Sequence, residues 1–145
     1  MIQTPPSEDA EAQQRSHLQW IFIGALFSVV SFLPMSLIGL WLGGRLARRF
    51  TSSQETALLA ATAPVLLAYA IAALGAGAVI GRFGLRARSW TAPAAGALGG
   101  TLLLGTSMAK GVGPWPLLLA AALVFVVGGA LWSTFGARLG RTRRP

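Results

Sequence analysis

The stretch "LQWIFIGALFSVVSFLPMSLIGLWLGG", Leu18–Gly44, determines the fold class, because it is a long apolar run without a charged residue. A helix needs about 20 consecutive apolar residues to cross the hydrocarbon core of a bilayer. Trp20 and Trp41 lie near the two ends of the run. The helix between them would be about 31 Å long, close to the hydrocarbon thickness. Tryptophan favours the headgroup boundary, so this run is typical of a transmembrane helix.

Three further apolar runs follow, and they predict spans over residues 57–81, 92–109 and 116–137. The chain of 145 residues is 54% hydrophobic and only 11% charged. Ordinary soluble domains carry about a quarter charged residues. Strands of a membrane barrel would be shorter and would alternate apolar with polar residues. We therefore predict an all-α polytopic membrane protein, a four-helix transmembrane bundle with short loops.

The chain divides into one domain and two tails. Residues 1–17 are polar and acidic with two prolines, which predicts a short disordered cytoplasmic tail. Residues 18–139 form the single transmembrane domain, with its first span over 18–44. Residues 140–145 form a basic cytoplasmic tail.

Polar residues that precede three spans predict where those helices begin. Ser16 with Gln19, and Ser52 with Glu55, have the spacing of a capping box. Thr91 is placed to cap the third helix.

The net charge of +8 comes from basic residues that flank the apolar runs. With the N-terminus inside, eight arginines lie on the inner face, and three arginines with Lys110 lie on the outer face. The positive-inside rule therefore favours cytoplasmic N- and C-termini. No polar basic face is present to follow a phosphate backbone, so we expect no nucleic-acid partner. We expect contacts with lipid phosphates or an anionic partner from Arg45, Arg48, Arg49, Arg82, Arg86, Arg88, Arg138 and Arg141.

Each predicted span contains or adjoins one GxxxG pair, and small residues let helix backbones approach in lipid. The pairs serve either packing within the chain, which we favour, or association between chains. The predicted packing residues are Gly39, Gly43, Gly77, Gly81, Gly96, Gly100, Gly136 and Gly140.

Pro34 and Pro64 lie inside the first two spans and predict kinks, because each removes a backbone hydrogen-bond donor.

The residues needed for chemistry are scarce. The sequence has no cysteine, and its one histidine, His17, precedes the first span, where we expect it to be solvated or interfacial. No span has a central Asp, Glu, Lys, Arg or His. Proton-coupled transport usually needs a titratable group at that depth. We therefore predict no catalytic, cofactor or metal site and no enzymatic activity.

The function predicted from these features is that of a structural or accessory membrane subunit. It would pack through its glycine and alanine faces into a homo-oligomer or a larger complex. The alternative is a small channel, permease or transporter component. The composition, rich in Ala, Gly and Arg, indicates a bacterial inner (cytoplasmic) membrane.

Overall fold

The computed structural model describes residues 8–49, 53–84, 87–108 and 115–142, all helical apart from short connections. The elements are α1 (Glu8–Arg49), α2 (Gln54–Phe83), α3 (Thr91–Met108), α4 (Trp115–Ala122), a π-helical segment (Leu123–Val127) and α5 (Gly128–Thr142). The last three elements continue into one another without a break, and together they are called the fourth helix.

Three of the four helices are long and apolar enough to cross a membrane: His17–Arg49, Gln54–Phe83 and Leu119–Thr142. This confirms the all-α class predicted from the sequence and agrees with the predicted membrane location by length and composition. The remaining helix, α3, has 18 residues, is about 27 Å long, and contains several glycines and threonines. Because α3 is shorter and less apolar than the others, the fourth predicted span stays a prediction.

Consecutive helices run antiparallel. Along α1 and α2, Gly24 lies against Ile80 whereas Gly39 lies against Pro64, so residue numbers rise on one helix as they fall on the other. α3 and the fourth helix are antiparallel as well, because Gly96 lies against Gly129 whereas Gly100 lies against Phe125.

Helices that are two apart in the chain run parallel. Along α1 and α3, Gly24 lies against Ala95 and Ser28 lies against Gly99, so both residue numbers rise together. α1 contacts α2 and α3, and α5 contacts the same two helices. The chain therefore forms an up-down-up-down bundle in which α1 and α5 lie on opposite sides of the α2–α3 pair.

The bundle is closed at one end and open at the other. In the described part of the chain, α4 contacts only α3 and the π segment, and it reaches neither α1 nor α2. The closed end, called the core end, holds most of the buried side chains and includes His17, Phe83, Thr91 and Thr142. The open end includes Arg49, Gln54, Met108 and Trp115.

The helix starts differ from those predicted. α1 begins at Glu8, so Ser16 lies inside the helix and does not cap it. The segment from Glu8 is rich in good helix formers, and its acidic side chains favour a helix N-terminus, which explains the earlier start inside the predicted 1–17 tail. Residues 1–7 lie outside the described ranges.

The caps of the next two helices differ as well. Ser53 is the N-cap of α2, and its Oγ accepts a hydrogen bond of 3.2 Å from the Thr56 N–H. The predicted cap, Ser52, lies outside the described residues. Thr91 is the first residue of α3, and its hydroxyl is buried without a partner, so it does not cap the helix.

Candidate functional site

The α2–α5 contact is built on glycines from both helices. A methyl group on Gly77 would collide with the carbonyl oxygen of Ser133. Without side chains, the two backbones come into direct contact, which is how helices associate closely in lipid. The other predicted glycines here are in the same position, namely Gly81 at Ala137, Gly136 at Leu74 and Gly140 at Ala78.

α3 uses its glycines on two sides. Gly96 and Gly100 pack against the fourth helix, where added methyl groups would collide with the carbonyl oxygens of Gly129 and Phe125. On the opposite side, an ideal Cβ on Gly99 would lie 3.3 Å from the Cβ of Ser28 in α1. α3 therefore lies between α1 and the fourth helix, beside residues of helices that are long and apolar enough to cross a membrane.

The remaining predicted glycines pack α1 against α2 in the open half, which is the half of the bundle next to the open end. An ideal Cβ on Gly39 would lie 3.0 Å from the Pro64 carbonyl oxygen, and one on Gly43 would collide with Ala61. All eight GxxxG glycines thus lie against helices of their own chain. By contrast, an ideal Cβ on Gly44, Gly105 or Gly128 would meet no atom of the described residues within 4 Å.

Tyr69 and the π segment form a polar contact in the centre of the bundle. Tyr69 is 2% exposed, and its hydroxyl donates a hydrogen bond to the Phe125 carbonyl. The Gly128 N–H also donates to Phe125, as well as to Leu123. The Tyr69 ring packs edge-on against those of Phe125 and Phe32, at centroid distances of 4.8 and 5.8 Å. This contact ties α2 to the fourth helix at the point where α4 diverges.

Four polar side chains are buried without a hydrogen-bond partner in the described structure: His17, Ser28, Thr91 and Ser133. Ser28 and Ser133 pack on the two sides of α3, beside Gly99 and Gly96. His17 is 4% exposed, and its ring lies 6.2 Å from that of Trp90. The solvated position predicted for His17 is therefore wrong, whereas the interfacial position stays a prediction. It is buried inside α1, beside the residue that directly precedes α3.

The two prolines lie within continuous helices. α1 runs through Pro34, and α2 runs through Pro64. Near them, the Ser36 hydroxyl donates to the Leu33 carbonyl at 2.8 Å, and the Thr62 hydroxyl donates to Leu58 at 3.0 Å. The predicted kinks stay predictions.

The described arginines of the predicted set are exposed and lie at the two ends of the bundle. At the open end, the Arg45 guanidinium carbon lies 3.9 Å from the centroid of the Trp41 ring, a cation–π geometry. Arg48 and Arg49 are in the last turn of the same helix. The core end holds Arg82, Arg88, Arg138 and Arg141, and Arg86 lies outside the described residues.

Among residues 8–49, 53–84, 87–108 and 115–142, no group of three or more His, Cys, Asp or Glu side chains could hold a metal ion. The described residues offer close contacts between helices, buried hydroxyl groups on both sides of α3, and arginines at both ends of the bundle. No family model matches the sequence, and no match was found among curated proteins or solved structures.

Proposed function

We propose that this protein is a structural or accessory subunit of a membrane assembly. In this proposal all four helices cross a bacterial inner membrane, and both termini are cytoplasmic. α3 is included because its glycines lie beside Ser28 and Ser133, which belong to helices that are long and apolar enough to span. A helix packed at that depth can cross a bilayer with modest apolarity, since its neighbours cover much of its surface.

The observation that carries the proposal is the separation of α4 from α1 and α2 within the described residues. The open half therefore holds α4 on one side and the α1–α2 pair on the other, with no contact between them. Leu58, Leu67 and Leu119 are all more than half exposed there, at 64%, 62% and 52%. Gly105 and Gly128 are open to a close helix approach. We assign the eight GxxxG glycines to packing within the chain, and the open half to a second copy or a partner's membrane helix.

A photo-crosslinking amino acid at Leu119 in native membranes tests this assignment. We expect an adduct either of twice the chain mass or with one defined membrane protein. The matched control is Leu131, which is similarly exposed (57%) but lies in the core half. Equal, diffuse labelling from both positions would contradict the proposal.

A small channel, permease or transporter component is the second candidate. The buried hydroxyls of Ser28 and Ser133 favour it, because polar groups at depth can line a path. Reconstitution in liposomes separates the two candidates. Flux of ions or small cations above that of protein-free vesicles, lost in a Ser28→Val, Ser133→Val double variant, would support transport over the accessory role.

A further inference from the structure

A groove runs between α2 and α5 at the core end and ends at an arginine. Its volume is about 320 Å³, which is near the lower limit for ligand pockets. The lining residues are Leu74, Ala78, Val79, Arg82, Phe83, Leu139 and Gly140.

The length and polarity of the groove match one chain of a lipid. From Leu74 to Phe83, α2 rises about 14 Å. That is close to half the thickness of the hydrocarbon core, or one leaflet. Arg82 is the single polar side chain in the lining, so the remainder of the groove suits a hydrocarbon chain.

Arg82 is placed to meet a headgroup. It lies in the last turn of α2 and is exposed, and its guanidinium carbon is 5.9 Å from the centroid of the Phe83 ring. The same two residues line the groove, so the charge is held where the apolar lining ends. Guanidinium matches the geometry of a phosphate oxygen pair, and basic pockets between membrane helices attract anionic headgroups.

We propose that this α2–α5 groove binds one anionic phospholipid, with an acyl chain along Leu74–Phe83 and the phosphate at Arg82. The inference depends on the membrane placement of the chain and not on the identity of a partner. A second groove, between α1 and α2 in the open half, has a volume of about 200 Å³ and is lined only by apolar residues and glycine. That groove lacks the charge that would select a headgroup.

Native mass spectrometry of the full chain in detergent tests the proposal. The protein is titrated with phosphatidylglycerol, and separately with phosphatidylcholine that has the same acyl chains. We expect one phosphatidylglycerol to bind with preference, and Arg82→Gln to weaken it about fivefold, the effect of one interfacial arginine. Lys110→Gln also removes one positive charge, from a residue that is not among the predicted lipid-phosphate contacts, and we expect it to leave binding unchanged.

A second variant tests the apolar part of the groove while keeping Arg82. Val79→Phe fills the groove, and we expect it to reduce phosphatidylglycerol binding although the charge remains. Circular dichroism on each variant verifies that the helices are intact, and if one of the two groove variants unfolds, the other one decides. Glycerol 1-phosphate, which carries the headgroup phosphate without a chain, should not displace the lipid.

Three results would overturn the proposal. They are equal binding of the two phospholipids by the unaltered chain, equal losses in Arg82→Gln and Lys110→Gln, and displacement of the lipid by glycerol 1-phosphate at matched concentration.

Discussion

Among individual residues, the positions of the glycines control how close the helices come. Gly77 and Gly96 both lie where a methyl group would meet the backbone of the fourth helix. Gly44 and Gly105 lie in helices too, but with open space beside them. The GxxxG pattern identified eight glycines at contacts, yet it could not say that the partner helices belong to the same chain. That information comes from the three-dimensional path of the helices.

Gly77→Ala and Gly96→Ala should each lower the free energy of unfolding by about 1–3 kcal/mol, because the added methyl group overpacks a backbone contact. Gly44→Ala and Gly105→Ala are the matched controls, and these should be neutral or slightly stabilising, since alanine favours helix. Unfolding by sodium dodecyl sulfate, followed by circular dichroism, measures the difference. Equal effects in both pairs would show that the contacts are not as close as described.

Tyr69→Phe removes one hydroxyl from the contact with the Phe125 carbonyl. We expect a loss of about 0.5–1.5 kcal/mol in the free energy of unfolding, the usual net value of one such hydrogen bond. The same unfolding measurement applies. Thr101→Val is a suitable control, because the Thr101 hydroxyl donates within its own helix, to Ala97. A Tyr69 effect no larger than that of Thr101 would contradict a role for this bond in joining α2 to the fourth helix.

The apolar runs in the sequence correctly located all four helices, because the length of an apolar run is a strong sequence signal. The ends were harder to predict. α1 starts earlier than expected because helix-forming residues extend it before the apolar run, and the cap of α2 is Ser53 because its Oγ lies within reach of the Thr56 N–H. The π segment was not predicted, since LVFVV has no local signature for it. His17 is buried beside Trp90, and no spacing in the sequence reveals that contact.

Deleting Val124 tests the role of the π segment. A π turn accommodates one residue more than an α turn, so this deletion should restore α-helical geometry without rotating α4 relative to α5. We expect folding to be retained, with a loss of about 1–2 kcal/mol, comparable to a broken hydrogen bond and its neighbouring contacts. Deleting Leu131 instead rotates one part of α5 against the other by about 100°. That control should prevent folding, and similar damage from both deletions would contradict the assignment.

In the whole molecule, four membrane spans of alternating direction would place both termini on one side of the membrane. The arginines of residues 82–88 and of the C-terminal tail favour the cytoplasmic side for the face that holds both termini. If α3 did not cross, three spans would leave the termini on opposite sides. The proposed topology therefore depends on the depth of α3.

Reporter fusions at the two termini distinguish the topologies. We expect a cytoplasmic reporter to be active, and alkaline phosphatase inactive, at both ends. Active alkaline phosphatase at the C-terminus alone would indicate that α3 does not cross the membrane.

The sharpest test of the position of α3 is a disulfide between introduced cysteines. The chain has no native cysteine, and the ideal Cβ of Gly99 lies 3.3 Å from the Cβ of Ser28. This is close to the separation found in disulfides, about 3.5–4.5 Å. In membranes treated with a lipid-soluble oxidant, the Ser28→Cys, Gly99→Cys pair should form a bond within one chain, whereas Ser28→Cys with Gly105→Cys should not. Absence of that bond, or equal reaction of both pairs, would contradict the four-helix bundle.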